Sequence, residues 1–500
     1  MKRCYILIAA VWVCISWAGG LVEAAPLDGA VWQLLRSRDL RSTRYSVCVI
    51  DADRGELLAE VNADEPMIPA SNMKLITTAA ALDVLGKDFV FRTELGVVDR
   101  PDETWLMIKG DGDPALGDPV LLKEAGLTAE DLLNQWVSVV KAAGITRVAR
   151  LIVDDRVFDH QFVHPNWPRE QLNRDYCAQV AGINFHDNCL HVLPAPADRV
   201  GTSPTFSVYP ESPFLTFFNS ATTGVANQFW VDRKPGTNEL TMRGRVKSTF
   251  YRPVRVTLHD PPMWLGGLLK DRLERAGVTV ESVSRPKPTD PLLAPEPLHR
   301  VETVMSAVLR RTNRDSENLF AEALLKRMGN ALTGSPGSWE NGAAAVRHAL
   351  NHRLGTLSSA AVVSDGSGLS RENRVTARLL AELLHSMHRD DNLRPIYLES
   401  LSYDGRVDSK QREGDGTLDG RFKKLPVGHF VYGKSGYIRG VSTLSGYLIM
   451  SDPDAPDNNQ RTIAFSMLFN EFTPPLTNQS MKNIQQKLIE LIDQEIGTLR

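Results

Sequence analysis

The sequence reads as an α/β domain interrupted by a large β-rich insertion. Two strand-like runs and a helix apolar nearly all round lie within residues 44–85, and three long strand-like runs and an amphipathic helix lie within 429–497. Between them, residues 90–260 carry short strand-like runs broken by Gly, Pro and Asp. The chain has 500 residues, 42% of them hydrophobic and 23% charged, which is ordinary globular usage rather than that of a disordered chain. The formal net charge is −3 with no basic excess, so nucleic acid is not an expected partner. No apolar run of spanning length follows the first 25 residues, which excludes a multi-spanning membrane protein.

The elements follow in order. Lys2 and Arg3 precede an apolar stretch from Cys4 to Val22, and Ala24 and Ala25 close it. This is the pattern of a secretory signal peptide cleaved after Ala24, with an uncleaved anchor helix as the alternative. Cys14 follows Val13 rather than a small residue, which argues against lipid attachment. Cleavage leaves Cys48, Cys177 and Cys189, too few for a disulfide framework. Cys48 falls in a buried strand, while a Cys177–Cys189 bridge stays open.

Residues 27–38 form a short amphipathic helix, and 44–50 and 56–62 form two strands around Asp53-Arg54-Gly55. Pro69-Ala-Ser-Asn-Met-Lys-Leu75 opens a helix that runs to Leu85, with Gly86 as its stop. It is apolar nearly all round, which marks a buried central helix. After the β-rich stretch, a helix spans 263–276 and five prolines within 283–298 read as a connection. Helices are expected at 302–312, 316–328, 340–353 and 376–388, strands at 429–437, 441–450 and 461–470, and a closing helix at 477–497.

Three short motifs carry the chemistry. Ser71-x-x-Lys74 stands at the start of the buried helix, where a three-residue step stacks both side chains on one face. A serine hydroxyl needs a base to become a nucleophile. A lysine among apolar neighbours has its ammonium form disfavoured and can be that base. The helix N-terminus adds positive potential where an oxyanion would form. Ser316-Glu-Asn318 lies at another helix start, with a second hydroxyl for proton relay and an amide for holding substrate. Lys434-Ser-Gly436 lies in an alternating, strand-like segment. Gly436 lets a substrate backbone approach as an added strand, Lys434 supplies charge for a carboxylate, and Ser435 supplies a hydroxyl. The N–H groups of Ser71 and Tyr437 are candidates for an oxyanion hole.

Taken together and in this order, the three motifs resemble the active-site set of penicillin-binding proteins and serine β-lactamases. Ser316 comes 245 positions after Ser71, and Lys434 another 118 later. That spacing resembles the D-alanyl-D-alanine carboxypeptidase/endopeptidases, the low-molecular-mass class C penicillin-binding proteins. Further matches are Asp365-Gly-Ser-Gly-Leu-Ser-Arg371 with Asn373-Arg-Val-Thr376, Gly110-Asp-Gly-Asp-Pro114, Val153-Asp-Asp-Arg-Val-Phe158, Asn318-Leu-Phe-Ala-Glu322 and Leu444-Ser-Gly-Tyr447. The resemblance implies a penicillin-binding, serine β-lactamase-like domain: an antiparallel sheet flanked by helices, with an insertion forming two smaller domains. The expected division is a signal peptide at 1–24 and a split catalytic domain at 25–96 and 296–500. Inserted domain II takes 97–190 and 259–295, and a nested domain III takes 191–258.

The resemblance also implies roles. Ser71 is the expected nucleophile and Lys74 its base; Ser316 passes a proton to the leaving amine, and Asn318 bonds the substrate amide. Lys434 and Ser435, with Gly436 and Tyr437 beside them, receive the terminal carboxylate. Asp154 and Arg371 are the candidates for holding both ends of a zwitterionic diamino acid. No metal or cofactor is expected. The expected partners are peptidoglycan stem peptides and, as covalent inhibitors, β-lactams; the expected location is secreted or periplasmic, at the cell wall. A β-lactamase or esterase on the same scaffold, and a silent β-lactam-binding scaffold, are the competing readings. Two positions depart from the family: Ser435 stands where threonine is usual, and Tyr437 where a small or hydroxylated residue is usual.

Other features fit simpler roles. His160 and His164 are expected to be solvated loop residues, since Pro165 follows and no third ligand is evident. Gly110-Asp-Gly-Asp113 reads as a turn without the further oxygens of a calcium loop. Asp315, Glu317 and Glu322 are expected to serve the dipole and cap of their helix.

Overall fold

The computed structural model describes residues 26–98, 100–408, 411–451 and 460–498. The signal segment and its cleavage site therefore lie outside the described residues. No described helix is long and apolar enough to cross a membrane.

Seven strands form the central sheet: β1 (Arg44–Asp51), β2 (Glu56–Val61), β3 (Ser402–Arg406), β4 (Arg412–Asp415), β5 (His429–Ile438), β6 (Val441–Ser451) and β7 (Gln460–Asn470). Their order is β4-β3-β5-β6-β7-β1-β2, and every neighbouring pair is antiparallel. Side-chain alternation sends alternate residues into two cores. Cys48, Ile50, Ala464 and Leu468 face helices Met73–Val84, Asn318–Thr333, Trp339–Leu354 and Ala377–Arg389. Val47, Val49, Phe465 and Met467 face Pro26–Arg36 and Asn478–Thr498. An antiparallel sheet with helices on both faces is thus the observed architecture.

The chain leaves this domain along Val90–Val98 and returns along Glu296–Val304, two strands paired antiparallel. They belong to a five-stranded sheet with Trp105–Gly110, Arg150–Asp154 and Val283–Ser284. Smaller sheets lie beyond it: Cys189–Ala195 with Thr205–Tyr209 and Val254–Thr257, and Glu239–Val246 with its three neighbours. One apolar cluster runs through the whole insertion, from Leu95 and Trp136 to Leu240 and Val256.

Several expectations need correction. The β-rich stretch also contains helices Pro119–Glu124 and Ala129–Ala142. The second has a full capping box, Thr128 against Asp131, and buries Leu132, Leu133, Trp136, Val137 and Val140. The helix expected from 302 begins at Met305, because residues up to Val304 are held in the sheet by Val90–Val98. The same pairing takes up the end of the proline-rich connection. Cys177 and Cys189 are buried free thiols, as is Cys48. His164 is buried rather than solvated: its Nε2 meets the Ser364 carbonyl at 3.0 Å, and it packs edge-on against Trp339.

Candidate active site

Ser71 sits in a single 3-10 turn, Ala70–Asn72, that leads into helix Met73–Val84. A strained dihedral and two contacts fix this turn. Ala70 takes a positive φ of 44°. Gly368 packs so closely that a Cβ there would lie 1.7 Å from the Ala70 carbonyl oxygen. The buried Asn72 amide meets Ser445 Oγ on β6 at 2.6 Å. The nucleophile is therefore clamped between the 365–371 loop and the sheet.

Lys74 lies one turn on and is fully buried. Its Nζ donates to Ser71 Oγ at 3.2 Å, to Asn318 Oδ1 at 2.6 Å and to the Ser367 carbonyl at 3.0 Å. Burial lowers its pKa to about 8, while the nearby Glu322, Asp365 and Glu317 carboxylates pull the other way. The lysine thus has three acceptors and a reduced hold on its proton, which suits a general base.

Asn318 opens helix Asn318–Thr333. Both ends of its amide are spent inside the protein, Oδ1 on Lys74 and Nδ2 on the Tyr176 carbonyl at 2.8 Å. Ser316, two residues earlier, is held at φ +66° and lines the cleft with Ser71. A non-glycine residue in that region is uncommon and marks a constrained backbone.

β5 carries the third motif. β3 pairs with it from Phe430 only as far as Gly433, so β3 leaves the edge of β5 from Lys434 onward unpaired. Gly436 backs onto the nucleophile turn, where a Cβ would lie 2.9 Å from Ser71 N and 2.3 Å from Thr443 Oγ1. Ser435 Oγ donates to Thr417 Oγ1 at 3.0 Å, and Tyr437 is 55% exposed at the cleft. Lys434 is fully buried, and its Nζ donates back to the Ser435 carbonyl at 3.0 Å. Burial, and then the charge of Lys74, push its pKa well below the usual lysine range. It is poorly placed to present charge outward. The cleft bounded by Ser71, Ser316, Ser435, Gly436 and Tyr437 has a volume of about 200 Å³.

The other two expected substrate residues lie outside that lining. The Asp154 carboxylate is clasped by its neighbour Arg156, with Oδ1 to Nε at 2.8 Å and Oδ2 to Nη2 at 2.7 Å, and is almost fully buried. This local ion pair with Arg156 occupies the edge of the carboxylate that bridges its two oxygens. Arg371 is exposed, and its Nη1 donates to the Arg439 carbonyl, just beyond Tyr437.

Sequence reasoning missed the residues beneath the motifs. Glu322 is buried rather than serving its helix end. It accepts from Ser367 N at 2.8 Å, Gly366 N at 3.0 Å and Trp339 Nε1 at 2.9 Å, holding the loop whose carbonyl meets Lys74. Burial, and then Asp365, raise its pKa to about 7. The Asp365-Gly-Ser-Gly run was the available signal, but nothing local tied it to a glutamate 43 positions earlier.

Residues 27–495 match the family described as D-Ala-D-Ala carboxypeptidase 3 (S13). A D-alanyl-D-alanine carboxypeptidase from an Actinomadura species is 31% identical over 460 residues, covering 88% of this chain and 80% of that protein. Carboxypeptidase DacB of Mycolicibacterium smegmatis is 26% identical, covering 85% of this chain and 76% of its own length. In structure, penicillin binding protein 4 (dacB) from Haemophilus influenzae superposes with a TM-score of 0.74 at 21% identity, covering 93% of this chain and 98% of that one. The same protein complexed with a β-lactam gives a TM-score of 0.70 at 20% identity, covering 93% and 99%.

Proposed function

The chain belongs to the D-Ala-D-Ala carboxypeptidase 3 (S13) family of serine peptidases, and from that premise we propose that it cleaves peptidoglycan stem peptides through an acyl-enzyme on Ser71. The observation that carries the reading is the 3.2 Å contact between Ser71 Oγ and the buried Lys74 Nζ.

In this reading the substrate lies along the open edge of β5. Ser71 Oγ attacks the carbonyl of the penultimate D-alanine as Lys74 takes the hydroxyl proton. The N–H groups of Ser71 and Tyr437 stabilise the oxyanion. Ser316 passes a proton to the leaving nitrogen, D-alanine departs, and an ester on Ser71 remains. Water then attacks the ester and restores the serine. Asn318 keeps Lys74 aimed throughout. When the leaving nitrogen belongs to a cross-bridge, the same steps amount to DD-endopeptidase action. β-Lactams acylate Ser71 in the same way and leave slowly, and the enzyme works outside the cytoplasm, at the wall.

Mass spectrometry of purified muropeptides tests this. Loss of one alanine mass supports carboxypeptidase action, and conversion of dimers to monomers supports endopeptidase action. Fluorescent penicillin should label the protein and not Ser71→Ala. An unlabelled wild type that leaves muropeptides intact defeats the reading. Rapid nitrocefin turnover without alanine release would favour a β-lactamase.

A further inference from the structure

A peptide lying along β5 with its terminal carboxylate beside Ser435 needs a cation there, the role expected of Lys434, and Lys434 does not present one. It is buried, bonded to its own strand and beside Lys74. Two other cations line the same cleft as Ser71, Ser435 and Tyr437: Arg421 and Lys482. Arg421 precedes β5, and Lys482 is on helix Asn478–Thr498.

Neither forms an ion pair with a carboxylate among the described residues. Arg421 Nη2 donates to Gln485 Oε1 and to the Lys482 carbonyl, both neutral acceptors. Among the described residues its Nε and Nη1 are buried without a hydrogen-bond partner, the guanidinium lying over the Phe422 ring at 5.4 Å. Gln485 in turn meets Ser442 Oγ, and Ser442 is paired with Tyr437 across β5 and β6. Lys482 is half-buried, and the nearby Arg421 charge adds to burial in lowering its pKa. Two adjacent, partly desolvated cations without an anion are costly in a folded protein. Where such a pair lines a cleft, an anionic ligand offsets that cost.

We propose that Arg421 and Lys482 form a carboxylate subsite beside Ser435, which receives the C-terminal carboxylate of the scissile peptide. Lys482, the more open of the two, makes the direct contact, and Arg421 supplies positive field from beneath. The proposal rests on the peptidase reading, because that reading places the peptide terminus on β5.

The test compares one peptide ending in D-Ala-D-Ala as the free acid and as the C-terminal amide. The ratio of kcat/KM, acid over amide, is measured for wild type, Lys482→Ala, Lys482→Glu and Arg421→Lys, with thermal midpoints alongside. Lys482→Ala should lower the ratio about tenfold, mainly through KM for the acid, as expected for a lost charge-assisted contact. Lys482→Glu should lower it further, and added salt should weaken the wild-type preference. Arg421→Lys keeps the charge and guards against misfolding of the helix contact. A ratio unchanged in both Lys482 variants, with an active wild type, overturns the subsite. A wild type that hydrolyses neither peptide and takes no penicillin label overturns the peptidase reading, and the subsite with it.

Discussion

Arg255, from the inserted β-rich region, reaches the carboxylate of Glu317, with Nη1 at 3.3 Å from Oε1. Glu317 stands between Ser316 and Asn318, so the second motif is gripped by a strand that lies outside the central sheet. The same guanidinium meets Asp187 and Asp175, both at 3.2 Å. Arg311 holds the other flank, with Asp315 at 2.7 Å and Asp118 at 2.8 Å. The strained backbone at Ser316 is thus over-determined by ion pairs on both sides.

Arg255→Met should therefore damage stability and chemistry together. It strands Asp187 and, among the described residues, leaves Glu317 with only Arg311, 3.7 Å away, at a cost on the order of 2–3 kcal/mol, below that of a fully buried pair because Arg255 is 24% exposed. Denaturant unfolding measures the first effect and the rate of penicillin labelling the second. Arg255→Lys should restore part of the stability but less of the rate, since lysine cannot span three carboxylates. Full labelling speed in Arg255→Met would show that the grip is irrelevant to Ser316.

Acylation should depend on pH through Lys74. The base works as the neutral amine, so the rate should climb with pH and level off above about 8. Glu322 raises the Lys74 pKa, so Glu322→Gln should move that limb to lower pH. Stopped-flow acylation across pH 6–10 (roughly the range that brackets a base of this kind) reads both profiles. A limb that stays put in Glu322→Gln would mean that the loop, not the charge, is what Glu322 contributes.

Stability should carry the same signature. The folded state releases the Lys74 proton near pH 8, whereas the unfolded chain holds it to the ordinary value of 10.5. Between these limits the unfolded state binds more protons, so this group's contribution to stability rises with pH and is lost on the way down. Wild type should gain on Lys74→Met across that window, as followed by chemical denaturation. A constant difference would mean that Lys74 titrates normally.

Gly436→Ala should silence the site while leaving the fold standing. The new methyl would crowd Thr443 Oγ1 and Ser71 N, at 2.3 and 2.9 Å. Displacement of the nucleophile turn by even a fraction of an ångström should cost about 100-fold or more in acylation. Circular dichroism and labelling, measured together, separate the two effects.

Much of this was legible because the motifs are short, local and tied to element starts. Helical spacing put Ser71 and Lys74 on one face and alternation put Lys434-Ser-Gly436 on a strand, but it was the resemblance of the three motifs, in this order, to the penicillin-binding set that joined them into one site. The strands at 429–470 also announced themselves, since their residues alternate between two apolar cores. β3 and β4 went unseen because Ser402–Arg406 and Arg412–Asp415 are short and polar, with no alternating apolar face. Helix Ala129–Ala142 was hidden by its β-rich surroundings, although Thr128 and Asp131 spelled its cap. The pairing of Asp154 with Arg156 was not legible, because a bidentate partner two residues on is invisible to motif matching. Arg421 and Lys482 carried no signal, since their meaning lies in what does not pair with them.

The central sheet seats β1 between β7 and β2, joining residues 44–51 to 460–470. A chain emerging from the ribosome presents Ser71 hundreds of residues before Gly436 and Ser445, which pack against its turn, are made. Pairing across such a separation is slow to nucleate, so the site should assemble only late, once the C-terminal strands have been made. A fragment truncated before residue 460 would be an inactive polypeptide rather than a weakened enzyme.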